Sequence, residues 1–211
     1  MVAKHKAVVS TIVSSGVSVY GMALVEVRPM HDVRAKFSVG VWCVLIFGAG
    51  CLRVMSLDYQ PSNTINGQGT VHVEPFRYQA ADEGRVRPRE IETVLRSEGG
   101  LFLADPIGNV LKQALEMELT RSGYTVGPLG DRSVSGIVTR FAIESNTEPG
   151  RKFELQATYL VQSEGTPNFS WTCTSVQSGP AMFQRDTLLI KAGIADCLER
   201  FLKEARSAQV L

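Results

Sequence analysis

The feature that most constrains this chain is the run FSVGVWCVLIFGAGC, Phe37–Cys51, a short apolar stretch preceded by Arg34 and Lys36 and closed by small residues and a cysteine. Its apolar part is well short of the roughly 20 residues that span a bilayer. Read from Met30, the chain has a positively charged start, an apolar segment of about ten residues and a small-residue cleavage site, which is the pattern of an export signal. On this reading residues 1–29 precede the true start and residues 30–50 are removed. The alternative keeps Met1 and makes residues 7–25, an apolar run diluted by serines, threonines and glycines, an N-terminal membrane helix. Removing the first 50 of 211 residues leaves 161, enough for one ordinary domain around one core.

The end of the run, Gly48-Ala49-Gly50-Cys51, resembles the cleavage site of bacterial lipoprotein precursors, with Gly48 standing where that family usually has leucine. The resemblance implies cleavage between Gly50 and Cys51 and acylation of Cys51. Two or three acyl chains anchor a protein stably, each buried CH₂ contributing about 0.8 kcal/mol. Leu52 follows the cysteine where inner-membrane lipoproteins carry aspartate, so the resemblance implies the periplasmic face of the outer membrane. Residues 51–69, with Pro61, Asn63, Asn66, Gly67 and Gly69, lack a period and read as a lipidated cysteine on a flexible tether.

Beyond Cys51 the chain holds 17 Lys+Arg against 19 Asp+Glu, which leaves no basic footprint for nucleic acid. The four cysteines, 43, 51, 173 and 197, contain no CxxC pair, so no metal site is expected. His72 is the only histidine after Cys51, and no motif sets a nucleophile or carboxylate beside it. No phosphate-binding, dinucleotide-binding or zinc-protease motif is present. The expectation is no catalytic residues, no cofactor and no enzyme activity. The alternating Arg85, Arg87 and Arg89 read as a solvated loop, with an anion site as the other reading.

The folded part is expected at residues 70–207. Val71 and Val73 alternate with His72 and Glu74 in a first strand, Thr70 to Tyr78, which bends, ends or lies at a sheet edge at Pro75. The segment after Asp105 is a helix: Ile107, Val110, Leu111, Ala114, Leu115 and Leu119 make one stripe, Asp105 is placed to cap it, and Gly123 is placed to end it. Residues 134–143 carry apolar residues on both faces, as a central strand does. Two further strands follow, with Phe153 to Val161 and Phe169 to Cys173 alternating, joined by hairpin loops. A last helix covers about 185–206. The fold class is α+β, a mostly antiparallel sheet of about four to five strands with two amphipathic helices on one face. Cys173 and Cys197 both point inward and could meet. A helix-to-sheet spacing of about 10 Å favours two buried thiols over a disulfide.

From Phe102 onward, FLADPIGNVLKQALEMELTRSGYTVG followed by SVSGIVTRFAIE, a long amphipathic strand and a terminal helix resembles the YajG-type lipoproteins. Their relatives are the ABC-transporter auxiliary lipoproteins and the N-terminal domains of TolB and CsgG. The resemblance implies a membrane-anchored envelope protein that contacts other envelope proteins without turnover, as an accessory of transport or surface assembly. The alternative is a small-ligand or lipid-binding component of an ABC transport system. Homo-oligomers fit either reading. Only Cys51 is carried over as a functional residue.

Overall fold

The computed structural model describes residues 53–62, 65–93, 100–145, 150–163, 168–180 and 183–211. The proposed extension 1–29, the signal 30–50, Cys43, and the cleavage and lipidation residues Gly50 and Cys51 lie outside them. The described elements in chain order are β1 (Arg53–Met55), β2 (Thr70–Val73), β3 (Arg77–Tyr78), the one-turn α1 (Gln79–Asp82), β4 (Glu90–Thr93), β5 (Leu101–Leu103), α2 (Ile107–Arg121), β6 (Thr125–Val126), β7 (Arg132–Ser145), β8 (Gly150–Ser163), β9 (Phe169–Pro180) and α3 (Phe183–Ser207). The class is α+β, but among the described residues the sheet has nine strands and is mixed, not four to five mostly antiparallel ones.

The antiparallel part is the expected meander. β8 pairs with β7 along its whole length and with β9 on its other side. Phe153, Leu155, Ala157, Tyr159 and Val161 all face the core, as strict alternation requires. The unexpected part lies on the other side of β7, where β2, β3 and β4 pair in succession, all parallel to it. They act as one interrupted strand. Each has only two to four residues, too short to show a period, and Pro75 and the turn of α1 separate them.

β7 has apolar residues of both parities for two reasons. It is central, as expected, and its register with β8 slips between Val138 and Arg140. This bulge switches the inward face from Val134 and Val138 to Phe141 and Ile143, all buried. The carboxylate of Glu92 fills the gap: it accepts from the Phe141 backbone N–H at 3.3 Å and pairs with Arg85 at 2.7 Å.

Helices α2 and α3 pack on one face of the sheet. Tyr159 of β8 stacks on Phe201 of α3 with ring centroids 4.4 Å apart, and Phe76 meets Tyr159 edge-on at 5.3 Å. Phe141 and Phe153 make a second edge-on pair at 5.0 Å. These rings fill the space between helices and sheet. Gly108 lets α2 lie against the backbone of Phe76, whose N–H donates to the Gly108 carbonyl at 3.3 Å; a Cβ there would overlap the Phe76 carbonyl oxygen. Gly123 ends α2 at φ +92°, as the sequence indicates. Asp105 does not cap it: the Ile107 N–H instead donates to the Pro88 carbonyl at 2.9 Å. The first turn of α3 is tied to β8 by Arg151 and Asp186, 3.3 Å apart and both well buried.

The stretch expected to be a tether is folded over its described residues. β1 pairs parallel with β5, Met55 and Tyr59 are buried, and the Gly67 N–H donates to the Ser122 carbonyl at 2.6 Å. The reason is chemical. Tyr59 O–H and the Ser62 N–H both donate to the Glu118 carboxylate on α2, at 2.6 and 3.0 Å, so an aperiodic segment is pinned by polar contacts that periodicity does not reveal. The described fold therefore already includes Arg53–Met55 and Tyr59, ahead of the Thr70 expected from the sequence.

Candidate functional site

Of the residues singled out in the sequence, Cys173 and Cys197 are brought together. They form a disulfide with Cα atoms 5.6 Å apart, within ordinary bridging distance. The expectation of buried thiols fails because the 10 Å spacing refers to the helix axis: Cα atoms facing the sheet lie about 2.3 Å nearer, and at this pair helix and strand approach more closely still. His72 sits on β2 with Nδ1 3.2 Å from the Gly127 carbonyl oxygen. Among the described residues no three His, Cys, Asp or Glu side chains converge as metal ligands, and no helix is long and apolar enough to cross a membrane.

Two surfaces remain as candidates. The first is the outer edge of β9: among the described residues this 12-residue strand pairs with β8 alone, so its other side offers backbone donors and acceptors, although Arg200 of α3 donates to the Thr174 carbonyl at 2.7 Å.

The second lies at the opposite end of the strand order, where the described chain begins. Among the described residues β1 is an edge strand there, and its register sets Val54 beside Phe102 and Met55 beside Leu103. Alternation turns Met55 and Leu103 into the core and leaves Val54 and Phe102 outward, Val54 63% exposed. Val54, Phe102, Leu103 and Pro106 together with Arg87, Pro88 and Arg89 line an open depression of about 460 Å³.

The loop bearing the arginines is fixed by its backbone. The Leu103 N–H donates to the Arg89 carbonyl at 2.8 Å, and the Arg87 N–H to a Glu90 carboxylate oxygen at 3.1 Å. The three arginines that alternate in the sequence separate in space. Arg85 pairs with Glu83 and Glu92, both at 2.7 Å; these contacts hold the Glu83 carboxyl below the usual carboxylate range and the guanidinium above its ordinary value. Arg87 instead lies 6.0 Å from the centre of the Phe102 ring, and neither it nor Arg89 has an ion-pair partner among the described residues. The sequence did not mark this surface, because β1 and β5 are three residues each and only their pairing assembles it.

No family model and no curated protein matches the sequence. The fold is shared with a crystal structure of a Xanthomonas campestris protein assigned to family-model DUF330, at 10% identity and a TM-score of 0.56, covering 72% of this chain and 94% of that one. An uncharacterised protein overlays at 16% identity and a TM-score of 0.49, covering 72% and 98%. A minor lipoprotein from Acinetobacter baumannii overlays at 11% identity and a TM-score of 0.40, covering 67% and 95%. At these identities the likeness to the Xanthomonas protein is one of fold.

Proposed function

We propose that this chain is a bacterial envelope lipoprotein, held by acylated Cys51 to the periplasmic face of the outer membrane, that acts without turnover by contacting other envelope proteins. The YajG-type resemblance narrows the role to an accessory of transport or surface assembly. The observation that carries the reading is that Arg53, two residues after the cysteine, is already part of the folded sheet, so the domain would stand directly on its anchor. The outer edge of β9 supports the contact role, because an edge strand can accept a partner strand through main-chain hydrogen bonds.

The ligand-binding alternative needs a cavity between helices and sheet. Phe76, Tyr159 and Phe201 occupy that space, which favours protein contact. Photo-crosslinking residues placed at Thr172 and Thr174 on β9, with capture from intact cells, test the role. A discrete crosslinked envelope protein supports it; crosslinks to lipid or small molecules alone would overturn it in favour of the alternative.

A further inference from the structure

We propose that the depression beside β1 is a membrane-docking surface, which seats the domain on a bilayer containing anionic phospholipid while acylated Cys51 holds it there; the proposal rests on the lipid-anchor reading above. Its apolar part is Val54, Phe102 and Pro106, and its basic part is Arg87 and Arg89. An exposed Val54 beside the half-buried Phe102 and Pro106, flanked by unpaired cations, is what a surface needs to sit at the headgroup boundary, with the apolar groups entering and the guanidiniums meeting phosphodiesters.

Three observations converge. Val54 is an aliphatic side chain 63% exposed on an edge strand, where it gains nothing from the fold, and its register neighbour Phe102 faces the same way. Arg87 and Arg89 project from a loop that its backbone hydrogen bonds hold in place, so they are pre-positioned. Glu90, in register with Phe102, keeps its charge but does not line the depression, and Asp58 and Asp105 line the neighbouring one, so the lining of this one holds two cations and no carboxylate.

Chain length selects the occupant. Only Leu52 separates Cys51 from β1, and two residues reach at most about 7 Å. The anchor point therefore lies beside this depression, and an acylated chain would bring these side chains to the bilayer. A second copy of the chain has no such tie to this end of the fold.

The test uses the protein purified with its lipid from membranes, carrying Val54→Cys labelled with an environment-sensitive fluorophore; Cys173 and Cys197 are bridged and Cys51 would carry lipid, so the new thiol reacts selectively. In vesicles of phosphatidylcholine with phosphatidylglycerol, the label should shift to the blue and be quenched by lipids spin-labelled near the headgroup. In phosphatidylcholine alone, or at about 1 M salt where the Debye length is about 3 Å, it should stay in water. Arg87→Glu with Arg89→Glu should lower the docking constant at least tenfold, at roughly fivefold per basic residue, with an unchanged unfolding midpoint.

A label that stays aqueous on firmly anchored protein would overturn docking and leave the anchor intact. Reversal by millimolar inorganic phosphate would overturn it in favour of a free-anion site, and label-to-label contact rising with protein density would do so in favour of self-association. Protein without acyl chains by intact mass, and unbound to vesicles, would overturn anchor and docking together.

Discussion

The phenol of Tyr59 donates a 2.6 Å hydrogen bond to the carboxylate of Glu118, joining a segment 59 residues away in sequence to the last turn of helix α2. Both groups are buried, and burial together with this bond raises the Tyr59 pKa above its ordinary value. Tyr59→Phe leaves the carboxylate with one donor fewer, at a cost of about 1–3 kcal/mol. The expected result is a lower midpoint in urea and earlier proteolytic cleavage between residues 53 and 62. Unchanged stability and protease resistance would return that segment to a tether.

The Cys173–Cys197 bridge closes a loop of sequence separation 24 between β9 and α3. Chain-entropy reasoning gives about 3.5 kcal/mol for a loop of that size. Replacing both cysteines by alanine should lower unfolding free energy by about that amount, and reduction of the wild type should do the same. Equal stability of oxidised and reduced protein would contradict the bridge.

Gly136 sits on β7 where an added Cβ would enter the Phe76 ring and lie 2.7 Å from the Thr158 carbonyl oxygen. Gly136→Ala should therefore overpack the junction of Phe76 and Tyr159, costing about 1–3 kcal/mol by chemical denaturation. Gly127→Ala, where nothing lies within 4 Å of the added atom, should change stability by less than about 0.5 kcal/mol. Reversed effects would contradict the packing.

Alkaline pH provides a separate check. Tyr59, Tyr78 and Tyr159 all have raised pKa values, chiefly because burial disfavours the phenolate. A folded-state pKa above the unfolded value of about 10 means the stabilisation is complete below pH 10 and is lost as pH rises beyond it. Each tyrosine contributes a slope of up to about 1.4 kcal/mol per pH unit. The Tyr159 hydroxyl is buried without a hydrogen-bond partner among the described residues, so Tyr159→Phe should be neutral or up to about 1 kcal/mol stabilising at pH 7 and should flatten the alkaline decline. A steeper decline in the variant would contradict the assignment.

The parts of the fold legible in the sequence were those with a long period. Alternation from Phe153 to Val161 and the stripe from Ile107 to Leu119 each put side chains on one face, and both faces are buried as read. What stayed hidden depended on contacts between distant residues. β1 to β5 are each two to four residues long, and the bulge at Thr139 mixes two parities into one apparently continuous pattern. The Arg85–Arg89 run read as solvent because one-dimensional spacing cannot separate Arg85, held by Glu83 and Glu92, from Arg87 and Arg89, which are not. Bulk helix-to-sheet spacing likewise understated how closely Cys173 and Cys197 approach.

The anchor proposed at Cys51, two residues ahead of β1, is measured by intact-mass analysis of the protein extracted from membranes, paired with labelling by radioactive palmitate. The expected result is a chain beginning at Cys51, heavier than its sequence by a diacylglyceryl group and an acyl chain, with label lost in Cys51→Ala. A chain that retains residues before Cys51, or label that persists in Cys51→Ala, would contradict it.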